Sequence, residues 1–270
     1  MSEQADAVAD LSRSGVLAGI HWAGITAYRQ TMKDYSPQTG HRPGWVGYTA
    51  HDLLCDRMDR VFSCGDFQLP AGLPAGAGMD AVKDGLAQED FDQMPQIEPG
   101  LVSYSPLNGS PGWRHGQWRW LLQSFQFGES RKIAWARKSA TKRSVASHPN
   151  PNPQPDLFSE LSLDGFEFEQ IVLSEDDPED GVATLVVAHS IHRELRQREY
   201  LIGRPSLMKG QAWHWNHNLM ANPPEPGSGL RFSGDPQPYT PNPNDVVSDA
   251  PVRLRQIPQK YKSSEVSDQE

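Results

Sequence analysis

The chain has 270 residues, 37% of them hydrophobic, and a formal net charge of −9. That length allows one large domain or two small ones, and the acidic balance excludes blanket attraction to DNA or anionic membranes. The 23 Gly and 23 Pro make up about a sixth of the chain, against about 12% in ordinary chains, which predicts a globular centre with long loops and extended arms.

Two cysteines, Cys55 and Cys64, are too few for a disulfide framework and fit no zinc spacing, so reduced thiols in a cytoplasmic setting are expected. The first residues, Met-Ser-Glu-Gln-Ala-Asp, carry no cationic or long apolar leader. The apolar runs fall far short of a membrane span, so no membrane partner is expected.

In chain order, Leu11, Val16, Leu17, Ile20, Gly24 and Tyr28 recur at helical spacing and predict one amphipathic helix over Val8–Lys33. Gly15, Gly19 and Gly24 weaken it or let a neighbour approach closely. Ser36–Gly40 breaks it. A second helix is predicted over Trp45–Phe62, its apolar face built from Val46, Ala50, Leu53, Leu54, Met58, Val61 and Phe62, and the two should pack as a pair. Residues 1–64 thus form a helical region. Residues 65–112 read as an irregular Gly/Pro-rich connection with one short helix between Met79 and Met94. Residues 113–222 read as an antiparallel β-rich region. One hairpin is expected from Gln117–Phe127 and Lys132–Lys138, another from Phe166–Leu173 and Val182–His189, with Leu185, Val186 and Val187 in the core. His148–Pro155 is a polyproline-type linker. Residues 223–270 lack the apolar content to order themselves and read as an extended tail. The fold class is α+β: an N-terminal helix pair, a central antiparallel sheet with hairpins, long irregular loops and a Pro-rich tail.

The functional signal is concentrated in Trp113–Arg143. Eight cations there face one acid, Glu129, a net +7 that leaves −16 for the rest of the chain, and four of the eight tryptophans lie in the same stretch. Cations neutralise phosphates, and exposed aromatic faces stack on bases. The sequence therefore points to a nucleic-acid-binding component of a larger assembly, holding single-stranded RNA or DNA. Arg114, Arg119, Arg131, Lys132, Arg137, Lys138, Lys142 and Arg143 are the expected phosphate contacts, and Trp118, Trp120 and Trp135 the stacking faces. The rival explanation is that the aromatics fill a core and the cations solvate the other face. A second cationic run, His192–Arg198 with Arg204 and Lys209, offers Arg198 and Arg204 as a bidentate phosphate clamp.

Two other function classes fit the sequence. Long Pro/Asn-rich arms suit a structural or assembly protein, such as a subunit of a viral particle, contacting other subunits through its loops and tail. His189/His192 and His214/His217 are His-x-x-His pairs, which on helices would put both rings on one face as a metal-dependent hydrolase requires. His51-Asp52, with His21 upstream, resembles the metal phosphohydrolases named for their His-Asp dipeptide. It departs from them in the Leu-Leu-Cys-Asp that follows and in lacking a clear downstream Asp. Gln154-Pro-Asp-Leu-Phe158 resembles the peptide by which bacterial replication and repair proteins dock on the sliding clamp. No nucleotide-binding Gly-rich loop or Gly-x-Ser-x-Gly elbow occurs, and no cofactor is implied.

Overall fold

The apolar repeat that begins at Val8 folds as two helices. The computed structural model, which describes residues 2–149, 181–194 and 196–224, places α1 at Glu3–Arg13 and α2 at Val16–Asp34. Gly15 separates them at φ 75°, a left-handed conformation that costs glycine no Cβ clash. Ser2 caps α1 by accepting from the Ala5 N–H. The other two glycines make room for rings: a Cβ on Gly19 would meet Phe62, and one on Gly24 would meet Tyr200. The Tyr200 hydroxyl donates to the Ile20 carbonyl at 2.9 Å, which holds that ring against α2.

Helix α3 runs Pro43–Phe62, opened by proline at its first position and closed at Ser63 in the left-handed region. It packs beside α2 as the periodicity predicts, burying Val46, Ala50, Leu54, Met58, Val61 and Phe62. The single short helix expected over Met79–Met94 is instead two, α4 (Met79–Lys83) and α5 (Gln88–Asp92), with Gly85 at φ 78° between them. Buried Asp90 ties α5 to α2: its backbone carbonyl accepts from Trp22 Nε1 at 2.8 Å, and its carboxylate accepts from Arg29.

Six strands follow, β1 (Ser103–Tyr104), β2 (Gly112–His115), β3 (Trp118–Ser124), β4 (Ala183–Ile191), β5 (Arg198–Pro205) and β6 (Trp213–Asn218), in that spatial order. Every pairing is antiparallel except β3 with β4, which run parallel from Trp118↔Ala183 to Ser124↔His189. The α+β class with its helix pair stands, and the sheet is mixed at its centre. A parallel pair needs a crossover. The crossover's described part contains α6 (Ala140–Ser147).

The hairpin expected between Gln117–Phe127 and Lys132–Lys138 does not form. Both edges of β3 are taken, by β2 and β4, and the basic residues fall on two 3-10 turns, Ser130–Lys132 and Trp135–Arg137. Those tight turns let Ile133 and Trp135 point into the core while their charged neighbours face outward. Of the second expected hairpin, Val182–His189 appears as β4, whose antiparallel partner among the described residues is β5. Phe166–Leu173, the linker from residue 150, Gln154–Phe158 and the tail from residue 225 lie outside the described residues.

The sheet is covered on both faces, which is why strict alternation fails in β3. Trp113, Trp118, Trp120, Leu122, Leu185, Val187, Tyr200 and Ile202 face α1–α3. Leu121, Val186, Ala188 and Trp213 face the crossover layer of Ile133, Trp135, Val145 and Ala146. Leu185, Val186 and Val187 are fully buried, as the sequence predicts, each contributing about 1.5–3 kcal/mol of transfer free energy. Cys55 and Cys64 are free thiols, and burial pushes both up to about 12. Among the described residues no helix is long and apolar enough to cross a membrane.

Two central tryptophans differ in how their N–H groups are satisfied. Trp113 donates to Asp59 Oδ1 at 2.8 Å, whereas the buried Trp120 N–H has no partner among the described residues. Removing the first strands a half-buried carboxylate, while removing the second relieves an unpaired donor. Trp113→Phe is therefore expected to be about 2 kcal/mol more destabilising than Trp120→Phe. Urea midpoints of the two variants check this, and equal losses would contradict it.

Candidate nucleic-acid interface

The tryptophans of the basic stretch are core residues. Trp118 and Trp135 are nearly buried and Trp120 fully so. Trp118 donates to Asp10 Oδ2 at 3.3 Å, Trp120 meets Phe62 edge-on at 5.6 Å, and Trp135 meets Trp213 edge-on at 5.2 Å. None offers a free face to a base, so the stacking role assigned to them is corrected. Covering the sheet on both faces takes large apolar surfaces, and these side chains supply them.

The cations separate into three groups. Arg131, Lys132, Arg137 and Arg143 are exposed, and Lys138 is half-buried. Among the described residues no carboxylate forms an ion pair with any of these five. Arg114 and Arg119 lie at the other end of β3, opposite one another across β2 and β3. Arg114 Nε donates to the Gly116 carbonyl at 2.8 Å, and the buried Arg119 donates to Ser105 Oγ at 3.0 Å. Lys142 is buried, and burial pulls its ammonium down to about 8 against the opposing pull of Cys55. Arg114, Arg119 and Lys142 therefore do not join the exposed group.

Two of the exposed group, Arg131 and Lys132, line a groove that the sequence did not reveal. A cavity of about 370 Å3 runs between Arg131–Ala136 on one wall and Ser206–Met208 with Gly210–Ala212 on the other. Two indoles brace the walls: Trp213 Nε1 donates to the Ser130 carbonyl at 2.9 Å, and Trp135 Nε1 donates to the Ala212 carbonyl. The Leu207 N–H donates to the Ala146 carbonyl at 3.0 Å, tying the second wall to α6. That wall presents Leu207 and Met208, 42% and 59% exposed, and the adjacent Lys209 is exposed too. Leu207 and Met208 went unread because nothing local marks a loop residue as unburied. Only the packing of β5 and β6 decides it.

The second cationic run does not make a clamp. Arg198 and Arg204 sit six residues apart on β5, about 20 Å along a strand. Arg204 turns toward α1, pairing with Glu3 at 3.5 Å. The His-x-x-His pairs are also corrected. His214 and His217 lie on β6, where a spacing of three puts side chains on opposite faces. His189 lies within β4, two residues before its end, while His192 lies beyond it. His189 faces His51 instead, Nε2 to Nδ1 at 3.5 Å, with Asp52 turned to solvent. Among the described residues no group of three His, Cys, Asp or Glu is placed to hold a metal.

The arrangement places exposed cations beside exposed apolar side chains, which can attract an anionic group. Comparison with protein families, curated proteins and solved structures finds no match to this chain.

Proposed function

We propose that this chain is a nucleic-acid-binding component of an assembly, holding single-stranded RNA or DNA in the groove between Arg131–Ala136 and Ser206–Ala212. The observation that carries the reading is a run of exposed cations with no acidic partner among the described residues, two of which, Arg131 and Lys132, line one wall, in a chain whose net charge is −9. Arg131, Lys132, Arg137 and Arg143 contact phosphates, with Lys138 and Lys209 flanking them. Leu207 and Met208 give an unstacked base an apolar surface. With the tryptophans inside the core, affinity comes from phosphate contacts and is indifferent to sequence.

Replacing Arg131, Lys132, Arg137 and Arg143 by Ala should weaken binding of a 20-nucleotide single strand by at least tenfold at low salt. It should also flatten the dependence of log K on log salt by about 0.7 for each phosphate that is no longer neutralised. Fluorescence anisotropy across a salt series reads both. Equal affinity and slope in the variant, or no binding by the native chain, would overturn the proposal. If the cations instead dock on an acidic protein surface, native chain purified after nuclease treatment retains that partner by size measurement and ignores the oligonucleotide.

A further inference from the structure

A second and larger cavity, about 660 Å3, opens where the ends of the parallel strands β3 and β4 meet the start of α3. Its size suits a metabolite. At its inner wall lie Tyr28 from α2 and His189 from β4. The Tyr28 hydroxyl and His189 Nδ1 are 2.7 Å apart, and the far nitrogen of the same ring, Nε2, lies 3.5 Å from His51 Nδ1. The His51 and His189 rings are nearly parallel, 18° apart. His51 is not part of the cavity wall and is partly exposed, so the three side chains lead from the cavity wall to a partly exposed group.

Purely structural packing does not call for this chain of groups. Three polar side chains are ordered in line through a region that apolar residues could fill, and His189 within it is fully buried. Burying polar groups is unfavourable unless each is bonded, and here each is bonded to the next. Burial keeps the line neutral: it pulls His189 down to about 3 and pushes Tyr28 well up. The cavity also holds a cation and a helix N-terminus: Arg193 lines it, as does the first turn of α3, whose N-cap residue Arg42 makes no side-chain cap hydrogen bond. The surrounding charges are Arg198 beside Tyr28, and Asp52 and Lys142 beside His51. Glu194 is the acid in the cavity wall.

From this geometry we infer that the cavity binds a small organic acid bearing a weakly acidic hydroxyl, and that Tyr28, His189 and His51 carry its proton to solvent. The bound hydroxyl gives its proton to the Tyr28 oxygen as Tyr28 releases its own to His189 Nδ1. The proton on His189 Nε2 passes to His51 Nδ1, and the one on His51 Nε2 leaves to water. The ligand becomes an anion beside Arg193, each ring ends as its other neutral tautomer, and one proton has reached solvent. The 3.5 Å step shortens when the site is occupied, as catalytic hydrogen bonds do.

The probe is 4-nitrophenol, whose absorbance distinguishes phenol from phenolate. The full chain should bind it saturably and raise its phenolate fraction above that of the free dye at the same pH. Tyr28→Phe should abolish that rise while leaving groove binding of a single strand unchanged. Arg193→Gln, at the exposed rim and without risk to the core, should reduce the rise at least threefold. Independently, the His189 ring proton should exchange with solvent at least tenfold more slowly in His51→Gly, with added imidazole restoring the rate. No saturable binding, a phenolate rise surviving in Tyr28→Phe, or exchange unaffected by His51→Gly would overturn the inference.

Discussion

Gly203→Ala is expected to destabilise the fold by about 3 kcal/mol or more, while Gly47→Ala is expected to stabilise it by about 0.5–1 kcal/mol. Gly203 lies in β5, paired to Val186 of β4 and Asn216 of β6, beside the register shift at Arg204/Pro205. A Cβ on Gly203 would run into the Trp215 carbonyl oxygen and into Asn216 Cα at 2.8 Å. Both obstacles are backbone atoms of a paired strand, and neither can swing aside as a side chain would. The sheet must open or the bulge must move, and Trp215, whose N–H donates to Glu3 at 2.8 Å, would lose its seat on α1. Gly47 is the opposite case. It is an interior position of α3 with nothing within 4 Å of an added Cβ, so Ala only removes backbone freedom from the unfolded chain. Urea midpoints of the two variants measured beside the native chain read both signs. Equal losses at the two positions would refute the packing argument.

The contrast between those glycines shows where sequence reading stopped. Periodicity was enough for α3, because its apolar face repeats on one side and most of its charges, buried Arg57 excepted, lie on the other. It was enough for the β4 core, because three adjacent aliphatic residues fit a strand buried on both faces. It failed at Gly15, where a short Ser-Gly step divides one apolar repeat into two helices without disturbing its spacing. It failed at β3 because Trp118–Leu122 serves two cores at once, and a strand that faces apolar layers on both sides has no alternation to read. The parallel pairing of β3 with β4 is nonlocal, joined through a crossover that no turn signature announces.

The candidate interface was legible as charge and illegible as shape. The excess of cations over Trp113–Arg143 marked the segment that carries the exposed cations. Which cations emerge from it depends on the turns at Ser130–Lys132 and Trp135–Arg137 and on the burial of Lys142 within α6. The tryptophans serve the groove as scaffold, not as stacking faces. Trp135 and Trp213 shape the groove from behind, through N–H donors fixed to carbonyls on the facing wall. Tyr28, His51 and His189 come from three elements and meet only in the folded chain, so no spacing in the sequence could join them.

Acidification from pH 7 to pH 4.5 should destabilise the protein through His189 by on the order of 3 kcal/mol. Burial, with a smaller push from His51, pulls the His189 imidazole down to about 3 in the folded chain, while in the unfolded chain it titrates near 6.5. Between those values the unfolded chain holds a proton that the folded chain does not. Stability from this group is complete above pH 6.5 and is lost as pH falls toward 3, at about 1.4 kcal/mol per pH unit. Protonation is opposed because the ring is fully buried and its two nitrogens are already engaged by Tyr28 and His51. Burial also lowers His21, His51, His148, His214 and His217, so the whole protein should weaken in the same direction. The share belonging to His189 is isolated by His189→Gln, which retains hydrogen-bonding capacity and does not titrate. Plotted against pH between 6.5 and 4.5, the urea-derived stability of that variant should fall less steeply than that of the native chain, by about one proton's worth. Parallel curves would mean that His189 is not held neutral in the fold, and the cost of burying the line of groups from Tyr28 to His51 would have to be met in another way.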